Sequence, residues 1–552
     1  MTRSQDPKQA FTAWLRANGA QLDSLAFKPS AEGAQSRGTG VFTSTPSVTL
    51  HESIPLASVP ASLLVSKDLV LQIAKEGTSE SAKRLARCMN AVSRTSAVPQ
   101  NSGPGWERTT LLIFLLWGYA SLSRGEEGPS ASGDAKQRLD ATYWAPYIRI
   151  LPEIGEIDTP VLWTDKAALA GLEGTELAAG VKAKRSALLR EFEKLRPHLN
   201  LLDVGGGDIF TPERFAWADA VFWSRVLGLG QALREFGGQP DTSSDYHLIP
   251  LVDFCNHSPN ANIRWHISDD PSHVVELRST PTRDDAPVKV PADTELFISY
   301  GDRPNAEFLF IHGFVLPDNP ANVMKFSVPF LENRFLNTDE EAQEDSSPTT
   351  LEDDDAVRTA ALASLAVKTA LLKDLGIRGM LTLAQPQYPN SDSDELPDPA
   401  TLADPTFGML SERDACAMAV AVLTPQDGVE HTETGKYVIG GQELGATTVP
   451  ALRAVLETLP HWEVLRLRVW AVLLEIVNFK LCALYEGEET WRGNHDDSVS
   501  DPASALRIAK VQMFREGQKT MLLQACQLLQ GLQERWAELD VVSSYLSEMQ
   551  NQ

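Results

Sequence analysis

Residues 249–265, IPLVDFCNHSPNANIRW, begin as an apolar strand and then break into Asn, His and Ser. An apolar run that gives way to polar residues predicts that a strand ends here in a turn. The turn is rich in chemically active side chains, because residues 253–262 contain three Asn, one His, one Cys and one Asp. Three interpretations follow: a plain turn, a metal site, or a pocket for a small polar ligand.

The metal interpretation rests on Asp253, Cys255 and His257, which alternate along the chain and would face one way on a strand. Such a mixed set can bind zinc, but no fourth ligand follows at a motif-like spacing. Cys255 is more simply a small buried apolar side chain. The five cysteines of the chain include no CxxC pair, which favours neither a disulfide framework nor a structural zinc site. We therefore predict no metal.

Composition narrows the class of protein. A chain of 552 residues is too long for one ordinary core, so two or three domains are expected. The formal charge of −25 disfavours binding to nucleic-acid phosphates and favours basic protein partners. The apolar run at 111–120 is too short to span a membrane and predicts a buried helix. Residues 1–20 resemble an amphipathic helix, with Phe11, Trp14 and Leu15 on one face, more than a signal peptide. We expect an intracellular protein, cytoplasmic or also nuclear, without membrane contact.

The pattern along the chain divides into alternating regions. Residues 37–65 and 246–315 have the β-branched, Gly- and Pro-punctuated character of strands, whereas 66–235 shows helical periodicity. A β-rich region is thus interrupted by a helical insertion. From about residue 355 the pattern is again helical. The segment 338–355 holds nine acidic residues and no basic one, which predicts a solvated loop, and 391–399 is similar.

A glycine-rich stretch, NLLDVGGGDIF at 200–210, resembles the glycine-rich loop of Rossmann-type methyltransferases. In that motif a strand leads directly into the glycines and a helix follows them, with an acidic residue closing the next strand. Here the preceding segment is helical, and Thr211 and Pro212 separate the glycines from the next helix. A plain loop between two helices is the favoured interpretation.

A second motif decides between the interpretations of the opening stretch. ELFISYGDRPNAEFLFIHGF at 295–314, taken with LVDFCNHSPNA at 251–261, resembles the SET-domain methyltransferases, and within them the Rubisco large-subunit lysine methyltransferases. RGTGVF at 37–42 resembles the Gly-x-Gly cofactor loop of that family, and FAWADAVFWSRVL at 215–227 resembles the segment before its strands resume. The likeness covers about residues 10–325 well and the C-terminal helices more loosely.

The resemblance implies an α+β fold: a knot-like, β-rich SET fold over residues 1–325 with a helical insertion at about 66–235. An all-helical C-terminal domain at 326–552, carrying the acidic loop 338–355, would bind the substrate. The cofactor would be S-adenosyl-L-methionine, with the target side chain entering from the opposite side of the site. The expected substrate is a protein, basic and of ribosomal or translation-related kind, and we expect a monomer.

The resemblance also assigns site residues. Those matching cofactor-binding positions are Gly38, Thr39, Gly40, Arg225, Asp253, Asn256 and His257. Tyr300 matches the catalytic tyrosine, and Leu227, His312 and Phe314 match the substrate channel. These residue types fit the chemistry: glycines let the backbone approach a ligand, and a guanidinium suits the methionine carboxylate. Taken singly, Tyr300 would instead be a tyrosine at a strand end and Asp253 a turn cap.

Two departures from the family pattern leave the acceptor open. Arg37 stands where relatives often carry Glu, and His312 stands where a channel tyrosine is common. The first hypothesis is a protein-lysine N-methyltransferase. The alternatives are a protein-histidine N-methyltransferase, for which Leu227 and His312 leave room, and a SET-type binding module without turnover.

Overall fold

The computed structural model describes residues 6–32, 35–44, 47–50, 54–95, 104–125, 136–203, 209–229, 245–268, 275–280, 288–327, 351–377, 379–386, 409–424, 427–494 and 501–550. The predicted acidic loop 338–355 lies outside these ranges up to residue 350, as do segment 391–399 and the glycines of 200–210. Residues 351–355 were wrongly predicted as loop, because they begin the helix Leu351–Asp374. The chain forms two compact units. The first comprises residues 1–166, 179–303 and 307–314, and the second comprises 167–178, 304–306 and 315–552.

Short strands in several small sheets form the β-rich part of the first unit. They are β1 Leu25–Glu32, β2 Gln35–Thr43, β3 Ser47–Leu50, β4 Ala57–Val59, β5 Val65–Ser66, β6 Leu227–Gly228, β7 Tyr246–Leu248, β8 Asn256–His257, β9 Ile263–Ile267, β10 Val275–Ser279, β11 Val288–Pro291 and β12 Phe297–Ile298. β1 and β2 form an antiparallel hairpin, β10 lies between β4 and β9, and β11 pairs with β3. Strands from before residue 67 therefore pair with strands from after residue 245, across the helical insertion.

Helices occupy the interval between those strands, in addition to one at the N-terminus. They are α1 Pro7–Ala17, α2 Lys67–Glu76, α3 Glu80–Val92, α4 Pro104–Ser123, α5 Ala141–Ile150, α6 Lys166–Ala170, α7 Glu176–Leu199 and α8 Pro212–Arg225. The predicted apolar run at 111–120 lies in α4 and is buried except at Tyr119. No helix among the described residues is long and apolar enough to cross a membrane. The amphipathic N-terminal helix is also confirmed, with Phe11, Trp14 and Leu15 buried.

An aromatic core holds the Asn-His turn from beneath. The ring of Phe254, just before the turn, lies 5.4 Å from Phe11 of α1 and 5.8 Å from Phe27 of β1. Phe11 and Phe27 are themselves 5.0 Å apart, edge to face. Such pairs each contribute about 0.5–1.5 kcal/mol beyond the area they bury. The N-terminal helix therefore belongs to the support of the turn, which is why its apolar face is needed.

The second unit is mainly helical. Its longer helices are Leu351–Asp374, Glu412–Val422, Val449–Glu457, Trp462–Asn494, Pro502–Ala537 and Asp540–Gln550. The prediction of an all-helical C-terminal domain was incomplete, because the unit also has short strands at Val323–Ser327, Met380–Ala384, Val429–His431, Tyr437–Ile439 and Gln442–Glu443. These runs of two to five residues are too short for periodicity to separate them from loops or helix ends.

A buried arginine ties residues 167–178 to the C-terminal helices. Arg515 is 1% exposed and donates to the carbonyl oxygens of Gly171 at 2.9 Å and Glu173 at 2.7 Å. The indole nitrogen of Trp491 donates to the carbonyl oxygen of Ala167 at 2.9 Å. A buried guanidinium is costly unless its donors are used, so these carbonyls hold the segment in register. This explains why residues 167–178 form part of the second unit.

Candidate functional site

The two sequence motifs meet through a short parallel strand pair. β12 pairs with β8 so that Phe297 faces Asn256 and Ile298 faces His257. The backbone N–H of Ser258 donates to the carbonyl oxygen of Ile298 at 3.1 Å. The Asn-His turn and the strand that leads to Tyr300 are thus held side by side, although about 40 residues separate them in the chain.

Tyr300 is fixed at both ends by groups of the turn. Its backbone N–H donates to Nδ1 of His257 at 3.0 Å, and its hydroxyl donates to the carbonyl oxygen of Cys255 at 2.9 Å. Burial lowers the pKa of His257, with the charge of Arg37 acting in the same direction. The neutral ring that results can accept from Tyr300, so His257 acts here as a support of the tyrosine. Burial also raises the pKa of Tyr300, which keeps its hydroxyl protonated.

Five rings form a contiguous group that we call the aromatic cluster: His257, Tyr300, Phe308, His312 and Phe314. The His257 ring lies 4.8 Å from Phe308 and 5.9 Å from Phe314. The His312 ring lies 4.7 Å from Tyr300. The predicted channel residue His312 therefore adjoins the predicted catalytic tyrosine, and Phe314 joins the cluster through His257, Phe308 and His312.

His312 is a neutral member of this cluster. Burial lowers its pKa to about 3, and the positive charge of Arg303 acts in the same direction. A neutral imidazole carries one N–H donor and one acceptor nitrogen. Beside Tyr300 it therefore supplies a polar group in a wall that is otherwise aromatic.

The glycines of the first loop serve two different purposes. Gly38 has φ +76°, a left-handed conformation that other residues rarely adopt, and nothing lies within 4 Å of a Cβ placed there. Gly40 is needed for space, because a Cβ there would lie 2.3 Å from Oε1 of Glu295 and 3.0 Å from Nδ2 of Asn256. The sequence explanation, that Gly40 leaves room for a ligand, is incomplete: the chain's own side chains fill that space. Thr39, between the two glycines, is half-buried and pairs with Pro29 of β1.

Asn256 is oriented by Glu295. Its Nδ2 donates to Oε1 of Glu295 at 2.7 Å, and the other carboxylate oxygen accepts from the hydroxyl of Ser30 at 2.7 Å. Glu295 is the first residue of the motif at 295–314, but the sequence pattern assigned it no role. Its signal was weak, because a lone Glu before an apolar strand is ordinarily a solvated residue.

Arg225, the last residue of α8, packs against the turn. A guanidinium nitrogen donates to the carbonyl oxygen of Asp253 at 2.6 Å, and the guanidinium carbon lies 4.5 Å from the centre of the Phe254 ring. Its Nε is buried and has no hydrogen-bond partner among the described residues. A buried donor of this kind suits an anionic ligand group, as the sequence predicts for the methionine carboxylate.

The carboxylate of Asp253 makes its observed contact with the helical insertion. Oδ2 accepts from the hydroxyl of Tyr147, in α5, at 2.6 Å. Burial raises the pKa of Asp253 to about 6, with the nearby charge of Arg225 acting against it. Tyr147 is a site neighbour that sequence reasoning missed, because nothing in α5 marks it for contact with a residue about 100 positions away. The predicted cofactor role of Asp253 stays a prediction.

Leu227 follows Arg225 closely in β6, where it pairs with His247 of β7. It is half-buried and packs against the core of the first unit. No cluster of three or more His, Cys, Asp or Glu side chains is placed to hold a metal ion within the described part of the chain.

Curated proteins with similar sequences carry SET domains or methyltransferase names. The chain is 31% identical over 198 residues to SET domain-containing protein 8 of Schizosaccharomyces pombe, a match that spans 35% of this chain and 39% of that protein. It is 28% identical over 194 residues to the actin-histidine N-methyltransferase of Homo sapiens, spanning 34% of this chain and 29% of that protein. The alignments thus cover less than half of these relatives. No family model matches.

Solved structures match far more of the chain. The structure of Rubisco LSMT bound to AdoMet aligns over 97% of this chain and 94% of its own, with a TM-score of 0.56 and 15% identity. The SET domain of LSMT bound to lysine and AdoHcy aligns over 97% and 93%, with a TM-score of 0.53 and 15% identity. At this identity the likeness shows the fold. The predicted SET fold of the Rubisco methyltransferase kind is confirmed.

Proposed function

We propose that this SET-domain chain transfers a methyl group from S-adenosylmethionine to a lysine side chain of a protein substrate. The observation that carries the proposal is the pairing of β8 with β12, which sets the hydroxyl of Tyr300 on the carbonyl oxygen of Cys255, beside the Asn-His turn. The structural relatives that bind AdoMet, AdoHcy and lysine support it.

The residues around the turn fit the cofactor. Asn256 offers an amide whose orientation is set by Glu295, and Arg225 offers a buried donor without a partner among the described residues. The amino-acid end of the cofactor carries an ammonium, which an amide oxygen can accept from, and a carboxylate, which a guanidinium can donate to. When bound, the cofactor supplies an electrophilic methyl on a positive sulfur.

Tyr300 would serve the transfer through its hydroxyl oxygen. Its proton is committed to the Cys255 carbonyl, so the oxygen presents lone pairs on its remaining side. Such an acceptor stabilises a methyl group that becomes more positive as it moves, and it can also orient the hydrogen of an attacking amine. The fixed position of the hydroxyl is what makes this effective, because no reorganisation is needed during the reaction.

The site also favours a neutral amine, which is the form that can attack. Burial raises the pKa of Tyr300, while the positive charges of Arg225 and Arg37 act in the opposite direction. Burial in the aromatic cluster, together with the charge of Arg303, lowers the pKa of His312. The same positive charges and the same burial disfavour an ammonium beside Tyr300. A lysine ammonium would release one proton to water before the transfer. The neutral nitrogen would then accept the methyl group, giving a methylammonium product and leaving the cofactor sulfur as a neutral thioether.

Apolar and aromatic walls support lysine as the acceptor. Phe314 and Tyr300 each pack against His312 and offer ring surface in the aromatic cluster. A lysine buries its aliphatic stem on such surfaces and keeps its nitrogen at the polar end.

Histidine is the second candidate acceptor. The similarity to actin-histidine N-methyltransferases favours it, as does His312, whose neutral ring can exchange a hydrogen bond with a target imidazole. An acceptor that holds the N–H of a target imidazole orients the other ring nitrogen for attack, and the acceptor nitrogen of His312 is a candidate for this.

Mass spectrometry separates these candidates. The purified protein is incubated with deuterated S-adenosylmethionine and a lysate of cells that lack the chain. Fragment spectra then locate the label on lysine or on histidine. Label on lysine supports the proposal, and label on histidine alone supports the second candidate. Cofactor binding without any transfer, across substrates from several tissues, would identify a binding module without turnover.

The charge of the chain supports a basic substrate. The net charge of −25 attracts basic proteins over a distance set by ionic strength. We therefore expect kcat/KM for the identified substrate to fall as salt rises from about 50 to 300 mM, while kcat changes little. A kcat/KM that is independent of salt would show that long-range charge plays no part in substrate choice.

A further inference from the structure

We propose that Glu295 is a positioning residue that aims the amide oxygen of Asn256 at the ammonium group of the cofactor. The inference rests on the proposed function. The sequence motifs assign no role to this carboxylate, and the role proposed here is to orient another residue.

The carboxylate of Glu295 fixes which way the Asn256 amide faces. A carboxylate only accepts hydrogen bonds, so the group 2.7 Å from Oε1 has to be the NH₂ of the amide. The amide is planar, and Oδ1 therefore points away from Glu295. An amide without such a partner can turn over and present NH₂ to the ligand instead.

Glu295 is itself anchored by a second strand. Its Oε2 accepts from the hydroxyl of Ser30, a β1 side chain that is 2% exposed. The backbone of Glu295 is held as well, because its carbonyl oxygen accepts from Nδ2 of Asn262 at 3.1 Å. The carboxylate thus links β1 to the Asn-His turn.

Gly40 leaves the space in which this link is made. A Cβ at this position would lie 2.3 Å from Oε1 of Glu295 and 3.1 Å from its carboxyl carbon. β2, which carries Gly40, therefore passes directly over the Glu295–Asn256 hydrogen bond. This close approach connects the glycine loop with the Asn-His turn through Glu295.

The chemistry identifies the ligand group as a primary ammonium. Oδ1 of Asn256 is an acceptor, and an acceptor held in place by a carboxylate favours a cationic N–H donor over a carboxylate or phosphate oxygen. The α-ammonium of S-adenosylmethionine is a group of that class. Glu295→Gln changes one atom but lets residue 295 donate as well as accept, so the preference for one amide orientation is lost.

Calorimetry with S-adenosylhomocysteine tests the idea in the full-length protein. Glu295→Gln is expected to weaken binding about 5- to 30-fold, the effect of one misdirected hydrogen bond to a charged group. Asn256→Ala should weaken it at least as much. The double variant should bind no more weakly than Asn256→Ala alone, because Glu295 acts only through that amide. Losses that multiply in the double variant would overturn the proposal, as would wild-type affinity in Glu295→Gln.

An analogue of S-adenosylhomocysteine with hydrogen in place of the α-amino group distinguishes loss of this one contact from general damage to the fold. The wild type should bind it more weakly than S-adenosylhomocysteine, and Glu295→Gln should bind it as the wild type does. Equal losses for both ligands would mean that Glu295 only supports the fold, which overturns the proposal.

Two further variants complete the design. Asp293→Asn removes a neighbouring carboxylate that pairs with Lys28 at the surface, and it should leave both affinities unchanged. If Glu295→Gln does not fold, Ser30→Ala is the replacement variant, because it removes a hydrogen bond to Glu295 and leaves the Asn256 amide unaltered. Ser30→Ala should weaken binding of S-adenosylhomocysteine about 2- to 5-fold and leave binding of the analogue unchanged. Wild-type affinity for both ligands in Ser30→Ala would then overturn the proposal. A wild type that binds no S-adenosylhomocysteine would instead overturn the proposed function.

Discussion

Replacing Tyr300 by phenylalanine removes one hydroxyl and keeps the ring within the aromatic cluster. The lost hydrogen bond, 2.9 Å to the carbonyl oxygen of Cys255, contributes about 0.5–1.5 kcal/mol to stability. Cys255 is 1% exposed, so its carbonyl gains little solvation in return, and the upper end of that range is expected. The variant should therefore fold, with a modestly lower free energy of unfolding.

The effect of Tyr300→Phe on catalysis should be much larger than its effect on stability. Removing one preorganised polar group from a site of developing charge typically lowers kcat about 10²- to 10³-fold, or about 3–4 kcal/mol. The cofactor's affinity should change little, because the hydroxyl acts mainly in the transition state. Calorimetry with S-adenosylhomocysteine and single-turnover methylation, followed by mass spectrometry, measure the two quantities separately.

Tyr437→Phe is a matched control for that experiment. Its hydroxyl donates to the carboxylate of Asp374 at 2.7 Å, in the second unit, so the same substitution removes a hydrogen bond to a charged acceptor. It should lower stability by at least as much and leave the single-turnover rate unchanged. If Tyr300→Phe keeps its rate within about threefold of the wild type, the role assigned to the hydroxyl is wrong.

Two further predictions concern histidines of the first unit. Burial lowers the pKa of His247 to about 4, so the stability that its neutral form contributes is present above about pH 6.5 and is lost as pH falls toward 4. His247 should therefore lower the free energy of unfolding by about 2 kcal/mol between pH 7 and pH 5, which urea denaturation measures. The variant His247→Leu should lack this part of the pH dependence, and an equal pH dependence in the variant would contradict the assignment. His312→Phe removes a polar ring whose centre lies 4.7 Å from that of Tyr300. The proposed role of His312 is to restrain the acceptor nitrogen through a hydrogen bond, so mass spectrometry should find more highly methylated products from the variant; an unchanged product distribution would contradict that role.

The helices and the fold class followed from sequence for ordinary physical reasons. The run at 111–120 is apolar on all sides and predicts a buried helix, and the stripe of Phe11, Trp14 and Leu15 predicts an amphipathic one. The SET resemblance depended on two motifs that occur in order, since neither alone is specific. Periodicity could not reveal the short strands of the second unit, such as Tyr437–Ile439, because three residues do not complete a pattern.

The contacts that support the site were beyond reach of the sequence. Tyr147 binds Asp253 and Ser30 binds Glu295, and each pair joins residues more than 100 positions apart. Their geometry depends on the sheet pairings that bring both ends of the first unit together. Gly40 shows the limit most clearly. The sequence predicts that Gly40 leaves space for the cofactor, whereas the structure shows Glu295 and Asn256 next to the position that a Cβ would take.

Under the proposed function, the site has residues that would contact the ligands and residues that orient them. Tyr300 and Asn256 present polar atoms, while His257 holds the tyrosine backbone and Glu295 holds the amide. Both supporting groups can only accept a hydrogen bond, because a carboxylate and an unprotonated Nδ1 carry no proton to donate. The partner must therefore present its N–H to them. Directional constraints of this sort narrow the orientations available to the ligand-facing groups before any ligand arrives, which lowers the ordering cost of binding. Substitutions at His257 and Glu295 should therefore be judged by how well they preserve hydrogen-bond direction, and replacements that match only size or charge should fail.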